Sequence, residues 1–84
     1  MYVILVYDVD ETRVSSVNKL LKKYLLWVQN SVFEGDISQS LLESLLRKLD
    51  SIITGNDSLI VYKFKSESQV EKELRGKHFD MNVI

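Results

Sequence analysis

The 84-residue chain has no cysteine and no proline, only three glycines and a single histidine. Without cysteine there can be no disulfide, and His78 standing alone excludes a structural zinc cluster. The lack of proline and of any low-complexity tract leaves nothing to serve as a linker, so one domain is expected. No apolar run approaches the ~20 residues that span a bilayer. The apolar opening from Met1 to Tyr7 lacks a basic flank and a small-residue cleavage site, so it reads as a strand and not as a signal peptide. No membrane partner is expected, and the expected location is cytoplasmic.

Charge of one sign is also missing. Eleven Lys and Arg face 12 Asp and Glu, for a net charge of -1. The chain as a whole therefore offers no electrostatic attraction to nucleic acid, and any attraction must arise from local clustering. Such clusters exist: Lys19, Lys22 and Lys23; Arg47 and Lys48; Lys63 and Lys65; Lys72, Arg75 and Lys77. Each reads either as a solvated face or as a phosphate-binding patch.

A core of this size buries only ~60% of the unfolded surface and is marginal. With disulfides and zinc excluded, oligomerisation is the remaining source of stability.

What is present is a strong alternation of elements. Tyr2 to Asp8 is a continuous β-branched and aromatic run ending in a carboxylate, which predicts a central strand. Asp8, Asp10, Glu11 and Thr12 supply turn and N-cap chemistry for a helix carrying Val14, Val17, Leu20 or Leu21, Tyr24 and Leu25 on one face. Trp27 to Glu34 then alternates with a period of two, which predicts a strand or two short ones broken at Asn30 and ended by Gly35 and Asp36. Ser38 is a good N-cap for a second helix with a broad apolar stripe from Leu41 to Ile53, stopped by Gly55. Asp57 to Lys65 predicts a mostly buried strand, and Glu67 to Leu74 a short polar helix ended by Gly76. The tail Met81 to Ile84 is short and apolar.

This order predicts an α+β fold, a ferredoxin-like β-α-β-β-α-β sandwich with both helices on one face of an antiparallel sheet. Residues 1–66 form the expected core, and residues 67–84 a helix and tail strand that contact a partner. Ile4 and Val6 point away from Val3, Leu5 and Tyr7, so the face without helices is apolar as well. A two-fold homodimer stacking the bare sheets together would cover it.

Asp8 shares the parity of Ile4 and Val6, which places it on that bare face. A carboxylate at an apolar rim requires a proton, a donor or a metal. Its symmetry mate would either raise one apparent pKa or recruit a divalent cation, and Mg²⁺ (or Mn²⁺) suits one or two carboxylates completed by water and phosphate. The plainer reading is a turn residue. Arg13 offers a bidentate phosphate contact or a pair with Glu11 or Asp10, and Tyr7 and Phe33 offer base stacking or core packing. Lys19, Lys22 and Lys23 are the candidate nucleic-acid-binding lysines, and His78 is a weak general base.

Tyr2 to Asp8, the block from Trp27 to Gly35 and the later run from Asp57 to Tyr62 resemble the small CRISPR-associated endonuclease family that accompanies the spacer integrase. The resemblance covers most of the chain from Met1 to about Phe64. It implies a ferredoxin-like homodimer with metal-dependent cleavage of RNA or DNA, bridging two dimers of the CRISPR integrase subunit during spacer acquisition. It also implies that Asp8 binds the metal and that Tyr7, Arg13 and Phe33 serve catalysis. The chain departs from many relatives in having Val14, Ser15 and Ser16 where a second arginine occurs, and Trp27 where an arginine precedes Val-Gln. Two other readings stand beside this one: a non-catalytic architectural DNA-binding dimer and a toxin-like messenger ribonuclease of the same fold.

Overall fold

The computed structural model describes residues 1–76. Four strands and two α-helices follow one another as β1 (Tyr2–Asp8), α1 (Glu11–Leu21), β2 (Leu26–Gln29), β3 (Val32–Asp36), α2 (Gln39–Asp50) and β4 (Ser58–Phe64). The strands form one sheet in the order β2-β3-β1-β4, and every neighbouring pair is antiparallel. Each helical connection therefore skips one strand, which gives the ferredoxin-like sandwich predicted from the element order.

Local chemistry fixes the ends of the elements. The Asp10 carboxylate caps α1 by accepting from the Thr12 N–H at 3.0 Å, and Ser38 Oγ caps α2 by accepting from the Leu41 N–H at 3.2 Å. The α1 helix stops at Leu21, and Tyr24 and Leu25 reach the core from the tight turn that follows. Asn30 takes a left-handed φ of 45°, which asparagine tolerates better than a β-branched residue, and this reverses the chain between β2 and β3. The break foreseen at Asn30 is thus a hairpin.

The core lies between the sheet and the helices. Val3, Leu5 and Tyr7 from β1 and Phe33 from β3 meet Val17 and Leu21 of α1 and Leu42, Leu45 and Leu49 of α2.

Four expectations are corrected. Gly35 and Asp36 do not end the strand before them but belong to β3, where Gly35 pairs with Val3. A Cβ at Gly35 would meet the Leu25 side chain at 3.4 Å, an ordinary van der Waals contact, so the turn before β2 lies directly against this position. The second helix ends at Asp50, ahead of Gly55, with Ser51 as its C-cap. The final strand is not mostly buried: it is a sheet edge, its burial alternates, and Ile60 and Tyr62 are 49% and 51% exposed. The helix foreseen from Glu67 to Leu74 is a single 3₁₀ turn over Glu67–Gln69, ended where Val70 becomes extended. Gln69 Oε1 accepts from the Lys65 N–H at 2.8 Å, which ties the turn back to the end of β4. His78, Lys77 and the tail Met81 to Ile84 lie outside the described residues.

Among the described residues no helix is long and apolar enough to cross a membrane.

Candidate functional site

Strand parity sorts the candidate residues onto two sides of the sheet. Tyr7 is odd-numbered and points into the core, where it is buried and its hydroxyl donates to Asn18 Oδ1 on α1. Burial raises its pKa above the ordinary tyrosine value, more than the Asn18 bond lowers it. Its ring lies 6.4 Å from that of Phe33, which has no exposed surface at all. The structure therefore brings Tyr7 and Phe33 together as packed core aromatics, and neither presents a ring face to solvent for stacking.

Asp8 lies on the opposite side. It is the last residue of β1, it is exposed, and it is in register with Ser58 of β4. Its carboxylate makes no hydrogen bond or ion pair with any described residue. Next to it on the same face runs an apolar ladder: Val6 sits between Val32 and Ile60, and Ile4 between Glu34 and Tyr62. Ile60 and Tyr62, with Leu26 at 65%, are three of the four large hydrophobic side chains left exposed among the described residues. The bare face foreseen from parity is present.

At its other end the face carries polar residues. Glu34 is buried there and is ion-paired with Lys72 of the C-terminal segment. Burial, and then the charge of Glu34, push the Tyr2 hydroxyl up to about 12.

Arg13 pairs with neither Glu11 nor Asp10. Its guanidinium forks onto Asp57, with Nε 2.7 Å from Oδ2 and Nη2 3.0 Å from Oδ1. The Asp57 side chain is 1% exposed and Arg13 is 26% exposed. Asp57 also accepts from the Asp10 N–H at 3.0 Å and the Thr54 N–H at 2.9 Å. These donors, Arg13 first, hold its carboxyl well below the usual carboxylate range. Sequence reasoning assigned Asp57 no role beyond opening a strand. The available signal was topological: once β4 is antiparallel to β1, the residue before Ser58 falls beside the turn that follows Asp8.

Lys19, Lys22 and Lys23 are all exposed, at the C-terminal end of α1 and in the turn after it. None forms an ion pair with a described carboxylate. Lys22 borders a small cleft with Asn18, Trp27 and Asn30, and the Trp27 indole N–H donates to the Asn30 carbonyl at 2.9 Å.

Comparison with known proteins decides the family. The family model described as CRISPR associated protein Cas2 matches residues 1–72. The chain belongs to the Cas2 family. A relative named CRISPR-associated endoribonuclease Cas2 2, from Archaeoglobus fulgidus, is 43% identical over 77 residues, covering 90% of this chain and 84% of that protein. A crystal structure of a Cas2 superposes with a TM-score of 0.87 at 45% identity, covering 93% of this chain and 88% of that one. Streptococcus pyogenes Cas2 superposes with a TM-score of 0.80 at 31% identity, covering 90% and 100%. The ferredoxin-like sandwich described above is thus the Cas2 fold.

The donor set can be tested against a divalent cation. Among the described residues no three His, Cys, Asp or Glu side chains lie close enough to form a cage. Asp8 supplies one carboxylate per chain, unpaired among the described residues, which fits Mg²⁺ held through one or two carboxylates with water and phosphate completing its shell, and does not fit an all-protein site.

Proposed function

We propose that this Cas2-family chain is a homodimeric, metal-dependent endonuclease that cleaves phosphodiester bonds in RNA or DNA. The observation that carries the proposal is Asp8: an exposed carboxylate without a partner among the described residues, at the border of an apolar sheet face that two helices leave uncovered. Stacking two such faces about a two-fold axis buries the ladder of Val6, Ile60 and Tyr62 and sets two copies of Asp8 at the rim. The naming of relatives as endoribonucleases supports the same reading.

Asp8 and its symmetry mate would hold Mg²⁺ or Mn²⁺. Bound there, the ion would supply Lewis acidity toward the phosphodiester. The chain's own residues do the remaining work. Lys19, Lys22 and Lys23 attract the phosphate backbone electrostatically. The Arg13 fork leaves Nη1 without a partner among the described residues, so Arg13 can turn one edge to a phosphate while the other stays on Asp57. Tyr7 and Phe33 act from the core, by fixing the end of β1 on which Asp8 stands.

Spacer acquisition, with the dimer bridging copies of the CRISPR integrase subunit, is the cellular role that membership of the family supports. A non-catalytic architectural dimer is the second reading. It is favoured by the engagement of Arg13 with Asp57.

Replacing Asp8 by Ala separates the two readings. Cleavage of a labelled RNA in Mg²⁺ should fall sharply while the dimer persists in size-exclusion chromatography with light scattering. Wild-type cleavage by that variant would remove Asp8 from the active site.

A further inference from the structure

The Asp57 carboxylate gathers five donors from three residues, two at the start of α1 and one in the loop before β4. Oδ1 accepts from the Asp10 N–H and Arg13 Nη2, both at 3.0 Å. Oδ2 accepts from Arg13 Nε at 2.7 Å, the Thr54 N–H at 2.9 Å and, weakly, the Thr54 hydroxyl at 3.5 Å. A carboxylate offers about four lone-pair sites. All of them are taken, and the side chain is 1% exposed. Asp57 therefore has no capacity left to bind a metal or accept a proton from substrate, and its chemistry is directed wholly at the protein.

Its chain neighbour and its hydrogen-bond partners lie on either side of Asp8. Ser58, the next residue along the chain, is the register partner of Asp8 across the β1–β4 ladder. Asp10, two residues beyond Asp8, gives its N–H to Asp57 and its own carboxylate to the α1 cap. The path of the chain through Asp8 is thus held at the strand on one side and at the turn on the other, with Arg13 locking the first turn of α1 to the same point.

We propose that Asp57 is a positioning residue for the reaction: it fixes the β1–α1 turn and Arg13 so that Asp8 is presented at the two-fold rim in one orientation. This rests on the reading of Asp8 given above. A ligand at the end of a strand has no neighbour of its own to hold it, and displacing a reacting group by about 1 Å costs on the order of 100-fold in rate. An interaction of this kind acts on turnover more than on binding, because the lysines that attract the polymer lie elsewhere.

The test is Asp57→Asn in the full chain, with a fluorescent single-stranded RNA and Mg²⁺. The amide keeps the shape of the carboxylate but turns an NH₂ toward Arg13 or Thr54 and removes the charge. We expect kcat to fall roughly 10- to 100-fold, with KM within about two-fold of wild type. In ¹⁵N spectra the Asp8, Val9 and Asp10 amides should shift and Asp10 exchange should accelerate, while Val3 and Leu5 in the core stay protected. Arg13→Lys, which keeps the charge and loses the fork, should show a smaller loss in kcat together with a raised KM, because Arg13 also offers an edge to phosphate.

Wild-type kcat in Asp57→Asn with fast Asp10 exchange would overturn the proposal. So would a loss accompanied by equal deprotection of Val3 and Leu5, since that is general destabilisation. Asp8→Ala run in parallel keeps the two ideas apart. Full activity there removes the Asp8 reading itself, whereas an inactive Asp8→Ala beside a fully active Asp57→Asn removes the positioning role alone.

Discussion

Arg13 and Asp57 are 44 residues apart in sequence and form a two-point fork, with the guanidinium 2.7 and 3.0 Å from the two carboxylate oxygens. This pair ties the start of α1 to the approach to β4.

Its first consequence is a pH dependence of stability. The folded Asp57 carboxyl is held below its ordinary value of 3.8, chiefly by Arg13 and then by the Thr54 N–H. A depressed carboxylate stabilises the fold above its unfolded pKa, and that contribution is lost as pH falls through the unfolded value toward the folded one. The difference in unfolding free energy between wild type and Asp57→Asn should therefore be constant from neutral pH to about pH 5 and shrink below about pH 4. Denaturant unfolding at a series of pH values reads this directly. A gap that stays the same down to pH 2 would mean that the charge contributes nothing.

Phe33 has no exposed surface and packs against Tyr7. Phe33→Ala should destabilise the protein by about 3–5 kcal/mol. Phe33→Leu should recover most of that. If Phe33 acts only through packing, cleavage by Phe33→Leu, measured well below its melting temperature, stays close to wild type. A folded Phe33→Leu protein with a large loss in kcat would instead assign the ring a direct part in the reaction.

The uncovered face gives a prediction about assembly. Ile60 is 49% exposed and is flanked by Val6. Ile60→Glu would bury a charge in the proposed interface, and a central interface residue costs about 2 kcal/mol or more when lost, roughly a 30-fold weaker dimer. Light scattering across a dilution series should show monomer appearing at higher concentration than for wild type. Cleavage should decline with the dimer, because each copy supplies one Asp8. An undiminished dimer would place the contact on another surface.

Lys19, Lys22 and Lys23 are exposed and form no ion pair with a described carboxylate. Replacing one of them by Ala should weaken binding to RNA or DNA alike and flatten the plot of log affinity against log salt by about one unit of slope. Fluorescence anisotropy at four or five salt concentrations measures it. An unchanged slope would exclude that lysine from the phosphate contacts.

The face of Asp8 was legible in the sequence because a strand allows only two parities, and Asp8 falls in step with Ile4 and Val6. The bare sheet face was legible for the same reason, since two helices can cover one side only. The roles of Tyr7 and Phe33 were not, because an aromatic ring reads the same in sequence whether it faces solvent or the core. Arg13 offered nearby carboxylates at Asp10 and Glu11, and local spacing could not reveal that the chosen partner lies beyond the second helix.

The sequence by itself determined the strands, the two long helices and their N-caps. Alternation, helical spacing and the short polar residues Asp10, Asn30 and Ser38 act within a few residues of one another, and those forces are present before the chain folds. Only the tertiary structure decided the rest: that β4 is an exposed edge, that Glu67–Gln69 is a lone 3₁₀ turn and not the start of a helix, and that Asp57 closes over Arg13. Each depends on which distant segments come together, and a buried carboxylate finds its donors only once the sheet order has brought them within reach.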